Sequence, residues 1–205
     1  VGFSGIRGYN GPTYQSGFSF NIPVQGLVDE FTPGDLRLAP TILDILAFQA
    51  EQEANGVQLT FSEGFEHTGY YNHKYIPRQG ESFQDPNLTN STNYRAIRFS
   101  DVLLMAAEAH NEIGNDDIAR TYLNRVRTRA GLTDVVSSGT ALGAAIFRER
   151  RLELAGEGHR FFDLVRTDRA ADEIDGFVKG KHELFPIPLI EIELAGNVWE
   201  QNPGY

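Results

Sequence analysis

The amino-acid sequence predicts a mainly α fold of tetratricopeptide-like helical hairpins, with long irregular loops and few short strands. Three observations carry that reading. Two amphipathic stretches of about 14 residues lie between Ser100 and Gly131, separated only by Gly114-Asn115. A third, from Thr140 toward Ala155, repeats the helical spacing and is laced with Arg and Glu. The first 36 residues, in contrast, hold seven Gly, three Pro and six aromatic side chains, a composition suited to turns.

That opening stretch, Val1 to Leu36, reads as a shaped loop region. Its Gly recur at Gly2, Gly5, Gly8 and Gly11, too few and too Pro-poor for a collagen helix, and without the Lys and Ser/Thr of a phosphate loop. Aromatics at Phe3, Tyr9, Tyr14, Phe18, Phe20 and Phe31 have two readings. They plug the neighbouring core, or they present flat faces on which sugar rings stack. Pro40 to Gly56 is predicted as a helix with Thr41 and Asp44 in a T-x-x-D capping pattern and Asn55-Gly56 as its stop. Val57 to Tyr94 is polar and aromatic, with Tyr70, Tyr71, Tyr75 and Phe83, and reads as loop with short strands. Asn87-Leu88-Thr89 and Asn90-Ser91-Thr92 fit the glycosylation sequon, a short pattern that arises often by chance.

From Ser100, placed to cap, a helix runs through Ile113 with Val102, Leu103, Met105, Ala106 and Ala109 on its apolar side. Asp116 starts a second, with Ile118, Ala119, Tyr122, Leu123 and Val126 apolar and Gly131 as stop. So short a turn forces an antiparallel hairpin, and alanines permit close approach. One hairpin cannot bury both faces and calls for stacked neighbours. The third helix, Thr140 to Ala155, ends at Gly156 and Gly158; Arg160 to Arg166 resumes helical spacing. Leu184-Phe185-Pro186-Ile187-Pro188 is extended, because each residue before proline is pushed out of the α region. A short helix over Leu189 to Leu194 and a turn over Gln201 to Tyr205 close the chain.

Charge narrows the function. The 205 residues carry 18 basic and 28 acidic side chains, a formal net charge of −10. Binding nucleic acid or an anionic lipid surface draws on Lys and Arg, so both are disfavoured. There is no Cys, hence no disulfide, thiolate metal site or Cys nucleophile. No apolar run approaches the roughly 20 residues of a membrane-spanning helix. Neither a Met start nor a targeting segment is visible, and Val1 opens in mid-pattern, as a processed product or fragment would. Tyr94 to Arg169 is nearly balanced, with 12 basic and 11 acidic residues, and Arg outnumbers Lys 15 to 3 overall. Arg forms planar bidentate pairs with carboxylates, so this stretch reads as a self-satisfied scaffold.

Catalytic and metal readings are weak. A catalytic reading would make Glu149, Glu153, Glu157 or Asp163 acid/base pairs for glycoside cleavage. Surrounded by Arg, they are pushed toward low pKa, the wrong direction for a general acid. His67 and His73, near Glu63 and Glu66, lack metal-ligand spacing. No Gly-x-Ser-x-Gly, His-Glu-x-x-His or phosphate loop occurs. No cofactor is implied. The ligand-binding candidates are Tyr9, Tyr14, Phe18, Phe20, Tyr70 and Tyr71.

Several pieces, in order, resemble the C-terminal half of the SusD/RagB family. They are Asn93-Tyr94-Arg95-Ala96-Ile97-Arg98-Phe99-Ser100-Asp101-Val102-Leu103-Leu104-Met105-Ala106-Ala107-Glu108-Ala109, Leu123-Asn124-Arg125-Val126-Arg127 with Arg129-Ala130-Gly131-Leu132, and Arg148-Glu149-Arg150-Arg151-Leu152-Glu153-Leu154-Ala155. Gly158-His159-Arg160-Phe161-Phe162-Asp163-Leu164-Val165-Arg166, Leu184-Phe185-Pro186-Ile187-Pro188 and Gln201-Asn202-Pro203-Gly204-Tyr205 follow. Asp35-Leu36-Arg37-Leu38 and His73-Lys74-Tyr75 match more loosely. The resemblance implies a single domain whose C-terminal half is this chain: a loop-rich region over 1–94, a helical scaffold over 95–169 and a C-terminal segment over 170–205. It implies a lipid-anchored protein on the bacterial outer membrane that captures a nutrient, usually a glycan and in some relatives a peptide. A SusC-like TonB-dependent transporter is the implied partner, together with an N-terminal half that carries the signal peptide, the lipidated Cys and most helical repeats. The matched pieces are scaffold motifs, so no binding residue transfers through them. A protein-interaction scaffold with no small-molecule site in this half is the alternative.

Overall fold

The computed structural model describes residues 4–81 and 92–205. Gly2, Phe3, Phe83, Asn87 and Asn90 lie outside the described residues. Two compact units divide the chain, Val1–Glu157 and Gly158–Tyr205.

The first unit opens with two-residue strands, β1 (Ile6–Arg7) and β2 (Ser16–Gly17), paired in parallel, followed by α1 (Gln25–Val28) and α2 (Leu38–Thr41). Strand β3 (Ile42–Asp44) leads directly into α3 (Ile45–Ala54) and pairs antiparallel with β4 (Tyr70–Asn72), Leu43 opposite Tyr71. A 3-10 turn over His73–Tyr75 follows β4. The helical scaffold is α4 (Phe99–Glu112), α5 (Asp116–Arg129) and α6 (Gly139–Glu153).

The helix expected over Pro40 to Gly56 therefore starts later than its sequence suggests. Ile42, Leu43 and Asp44 are extended, and Asp44 rather than Thr41 is the cap, its Oδ1 accepting from the Ala47 N–H at 2.9 Å. The competing interaction is non-local: pairing with β4 buries Ile42, Leu43 and Tyr71, a gain of about 1.5–3 kcal/mol per large side chain. Gly56, in the left-handed region at φ +76°, lies just beyond the helix end as expected.

The α4–α5 hairpin forms where the spacing places it. Leu103, Leu104 and Ala107 meet Ala119, Leu123 and Val126, and α6 adds Leu142 and Ile146. Ser100 is not its cap: Arg98 stands at that position, and the Ser100 hydroxyl instead accepts from Arg98 Nη1 at 2.5 Å. Asp116 gathers the helix ends. Its Oδ1 accepts from Asn111 Nδ2 at 2.9 Å and its Oδ2 from the Gly139 N–H at 2.7 Å. These bonds hold its carboxyl below the usual range, the Gly139 amide contributing most.

A second core lies under the loop-rich part, where Ile6, Tyr9, Tyr14, Leu43, Ile45, Leu59, Tyr71 and Ile76 pack together. A third joins Phe31 and Ile42 to Leu152 of α6, with Tyr70 packed against it.

The second unit contains α7 (Arg160–Arg166), α8 (Ala170–Glu173) and α9 (Leu189–Leu194). Its final residues clamp the extended Leu184–Pro188 segment. The Gln201 amide bonds both backbone groups of Ile187 at 2.8 Å, Asn202 Nδ2 donates to the Phe185 carbonyl at 2.7 Å, and the Tyr205 hydroxyl to that of Leu184 at 3.0 Å. Two motifs far apart in sequence are thus one hydrogen-bonded unit. The fold class is the one expected: mostly helical, with few short strands. Among the described residues, no helix is long and apolar enough to cross a membrane.

Candidate functional site

Two kinds of site are visible in the first unit, an internal ion network and an exposed aromatic turn. The network centres on three glutamates of the α6 end, Glu149, Glu153 and Glu157, all buried. Arg37 bridges the loop region to α6. Its guanidinium pairs with Asp35 Oδ2 at 2.7 Å, Glu149 Oε1 at 2.6 Å and Glu153 Oε2 at 3.3 Å. Arg98 enters from the base of α4, pairing with Glu153 Oε1 at 2.9 Å and Glu157 Oε2 at 2.7 Å. Arg127 and Arg129 of α5 bind Glu149 and Glu153 at 2.9 and 2.6 Å, and Lys74 binds Glu157 at 2.6 Å.

The carboxyls of Glu153, Glu157 and Asp35 are held below their ordinary range. Burial pushes the Glu153 carboxyl up, but the Arg98 hydrogen bond and the Arg129 charge outweigh it, leaving the group below its ordinary range. Glu157 follows the same balance, with Arg98 and Lys74 overcoming burial. Asp35 is likewise lowered, Arg37 prevailing over desolvation. Burial lowers the Lys74 ammonium more than Glu157 restores it. With their carboxyls lowered and locked in guanidinium forks, Glu153 and Glu157 are poorly suited to act as general acids, so the arrangement suits architecture.

The six ring-bearing candidates separate by burial. Tyr9, Tyr14 and Tyr71 lie within the loop-region core, with Tyr9 and Tyr14 edge to face at 5.7 Å. The Tyr14 hydroxyl bonds His73 Nε2 at 2.9 Å, and His73 Nδ1 lies 2.7 Å from the Ala39 carbonyl. Tyr70 is half-buried, one side against the Phe31–Leu152 cluster. Phe18 and Phe20 are exposed, at 37% and 56%, and their rings stack on each other at 6.4 Å with 20° between planes.

That exposed pair is built rather than incidental. Ser19 and Asn21, on either side of Phe20, both sit in the left-handed region at φ +59° and +56°. A non-glycine residue there costs on the order of 1–3 kcal/mol, so surrounding contacts must hold it. They are present: Ser19 Oγ accepts from the Arg7 N–H at 3.0 Å, and the Ser19 N–H donates to the Gly5 carbonyl at 2.8 Å. Arg7 Nη2 donates to the Phe18 carbonyl at 3.1 Å, and Asn21 Nδ2 to that of Gly156 at 3.2 Å. The Gly156 carbonyl also accepts from Asn72 Nδ2 at 2.9 Å, so the turn is tied to the end of α6 and to β4. Sequence reasoning missed Arg7, Ser19 and Asn21. Its available signal was the alternation Phe18-Ser19-Phe20-Asn21, in which rings alternate with small polar residues.

Helical hairpins supporting a braced, ring-bearing turn define a scaffold class of protein. The SusD family model matches residues 9–183, and the chain belongs to the SusD family. It is 30% identical to SusD-like protein P2 of Formosa agariphila, over 98% of this chain and 43% of that protein. SusD-like protein P25 of the same bacterium is 35% identical over 58% of this chain and 26% of its own length. Among solved structures, a laminarin binding SusD-like protein superposes with TM-score 0.83 and 41% identity, covering 100% of this chain and 43% of that one. Surface glycan-binding protein A from Bacteroides thetaiotaomicron in complex with laminarihexaose gives TM-score 0.84 and 27% identity, over 98% of this chain and 46% of that one. The chain spans less than half the length of these relatives.

Proposed function

We propose that this chain takes part in non-catalytic capture of a glycan of the laminarin type, with Phe18 and Phe20 as its stacking platform and half-buried Tyr70 as a further candidate ring. Tyr9, Tyr14 and Tyr71 serve as core residues of the loop-rich region. The observation that carries the reading is the exposed Phe18–Phe20 stack held by two strained, fully braced residues. Strain of this kind persists where a surface has to be presented in one geometry. The exposed parts of these apolar rings suit the C–H faces of sugars, while neighbouring Asn21 and Arg7 offer donors to hydroxyls. The 41% identity to a laminarin binding relative supports this ligand class. Within the same reading, the captured glycan passes to a SusC-like TonB-dependent transporter at the outer membrane of the cell.

Calorimetric titration with laminarihexaose tests the platform. Phe20→Ala is expected to weaken binding at least about tenfold, equivalent to about 1.4 kcal/mol. Unchanged affinity in both Phe18→Ala and Phe20→Ala removes the platform from the reading.

A further inference from the structure

The loop that runs beside the Phe18–Phe20 turn carries a third exposed ring. Phe65 is 91% exposed, more than either platform ring. It sits at the tip of a tight turn, closed by the His67 N–H donating to the Gly64 carbonyl at 3.3 Å. Glu66, the third residue of that turn, lies in the left-handed region at φ +53°. Glycine or asparagine ordinarily fills such a position, so the backbone is held there against its preference, as it is at Ser19 and Asn21.

Both flanks of the turn are braced. Before it, the Ser62 N–H donates to the Arg7 carbonyl at 2.9 Å, and Asn10 and Thr60 exchange both backbone bonds, at 2.8 and 3.0 Å. A Cβ on Gly8 would strike the Ser62 hydroxyl, so the two stretches of chain touch. After it, the His67 ring packs between Phe61 and Tyr71, at 5.8 and 6.0 Å, and the Thr68 hydroxyl donates to the Pro23 carbonyl at 2.7 Å. The tip itself reaches the braces of the platform. A Cβ on Gly64 would lie 3.5 Å from Arg7 Nε and 3.8 Å from Ser19 Cβ, the residues that hold the Phe18–Phe20 turn. Standard chain geometry then puts the Phe65 backbone within roughly 15 Å of those of Phe18 and Phe20.

We infer, resting on the stacking platform proposed above, that Phe65 is the ring of a second subsite and that the paired turns select glycans by length. Rings on two separately braced turns, joined through Arg7 and Ser19, address different sugars of one chain. A disaccharide fills the Phe18–Phe20 platform alone, and a longer glycan continues to Phe65. A phenylalanine this exposed contributes little to the fold and loses most of its contact with water when a sugar face covers it. Rings on loops that a rigid scaffold positions are the usual carriers of such selectivity.

Calorimetric titration of the 205-residue chain with laminaribiose and with laminarihexaose tests the inference, with Phe65→Ala, Phe65→Trp and Phe18→Ala/Phe20→Ala beside the wild type. The wild type is expected to bind the hexaose at least about tenfold more tightly than the biose. Phe65→Ala is expected to remove that preference, weakening the hexaose about tenfold and leaving the biose within about twofold, and Phe65→Trp to keep it, all at the wild-type melting temperature. Hexaose affinity that survives Phe65→Ala but is lost in Phe18→Ala/Phe20→Ala overturns the second subsite and leaves the platform standing. Equal weakening of biose and hexaose by Phe65→Ala makes Phe65 part of the platform and overturns selection by length. Binding that is indifferent to every variant, or absent from the wild type, removes platform and subsite together.

Discussion

Around Glu153 the chain buries charge, whereas at Phe18 and Phe20 it exposes rings. In the first region four arginines and a lysine close on glutamates until every carboxylate oxygen has a partner, and nothing is left to react. In the second, backbone strain and two side chains, Arg7 and Asn21, hold partly exposed rings at the surface. The contrast teaches that density of charged residues marks structure here. The feature aimed at solvent is marked by its cost: non-glycine left-handed residues around a partly exposed aromatic pair.

If that division holds, substitutions in the two regions should fail in different ways. Glu153→Ala strands Arg37, Arg98 and Arg129 around an empty site, and loss of one partner from a buried pair costs about 3–5 kcal/mol. Urea denaturation is expected to show that loss. A smaller effect is expected at the seam between regions. Gly156 has φ +73°, and an added Cβ would strike the Asn72 amide. Gly156→Ala is expected to cost about 1–3 kcal/mol in the same experiment, and to disturb the carbonyl that holds Asn21.

The network should also announce itself through pH. Glu153 and Glu157 titrate below their ordinary 4.5 when folded, so their stabilising contribution is complete above that value and is lost as pH falls through the lowered ones. Thermal melts are therefore expected to show a midpoint that drops as pH falls below about 4.5. The smallest stability change belongs to the rings: Phe20→Ala, at an exposed position, should shift unfolding free energy by no more than about 0.5 kcal/mol.

Much of the scaffold was legible in the sequence because its signals are local. Gly114, Gly131 and Gly156 mark the helix ends of α4, α5 and α6, and the 3.6-residue period names the core of the hairpin. The start of α3 was not legible, since the T-x-x-D pattern over Thr41 and Asp44 points to Thr41 as the cap, and pairing with residues 70–72 moves the start to Ile45 behind Asp44. In the network, the residue types were readable but the partnership was not: Arg37 and Glu149 are 112 positions apart. The aromatic candidates were indistinguishable as sequence, all being rings on loop segments. Burial and the left-handed turn separate Phe18 and Phe20 from Tyr9, Tyr14 and Tyr71.

Affinity electrophoresis through laminarin-containing gels, run in parallel on the wild type, Phe18→Ala/Phe20→Ala and Glu153→Ala, tests the central claim most directly. The expected result is retardation of the wild type and of the folded fraction of Glu153→Ala, with the double phenylalanine variant migrating as in a gel without glycan while retaining the wild-type melting temperature. Retardation of the double phenylalanine variant equal to that of the wild type would contradict the account.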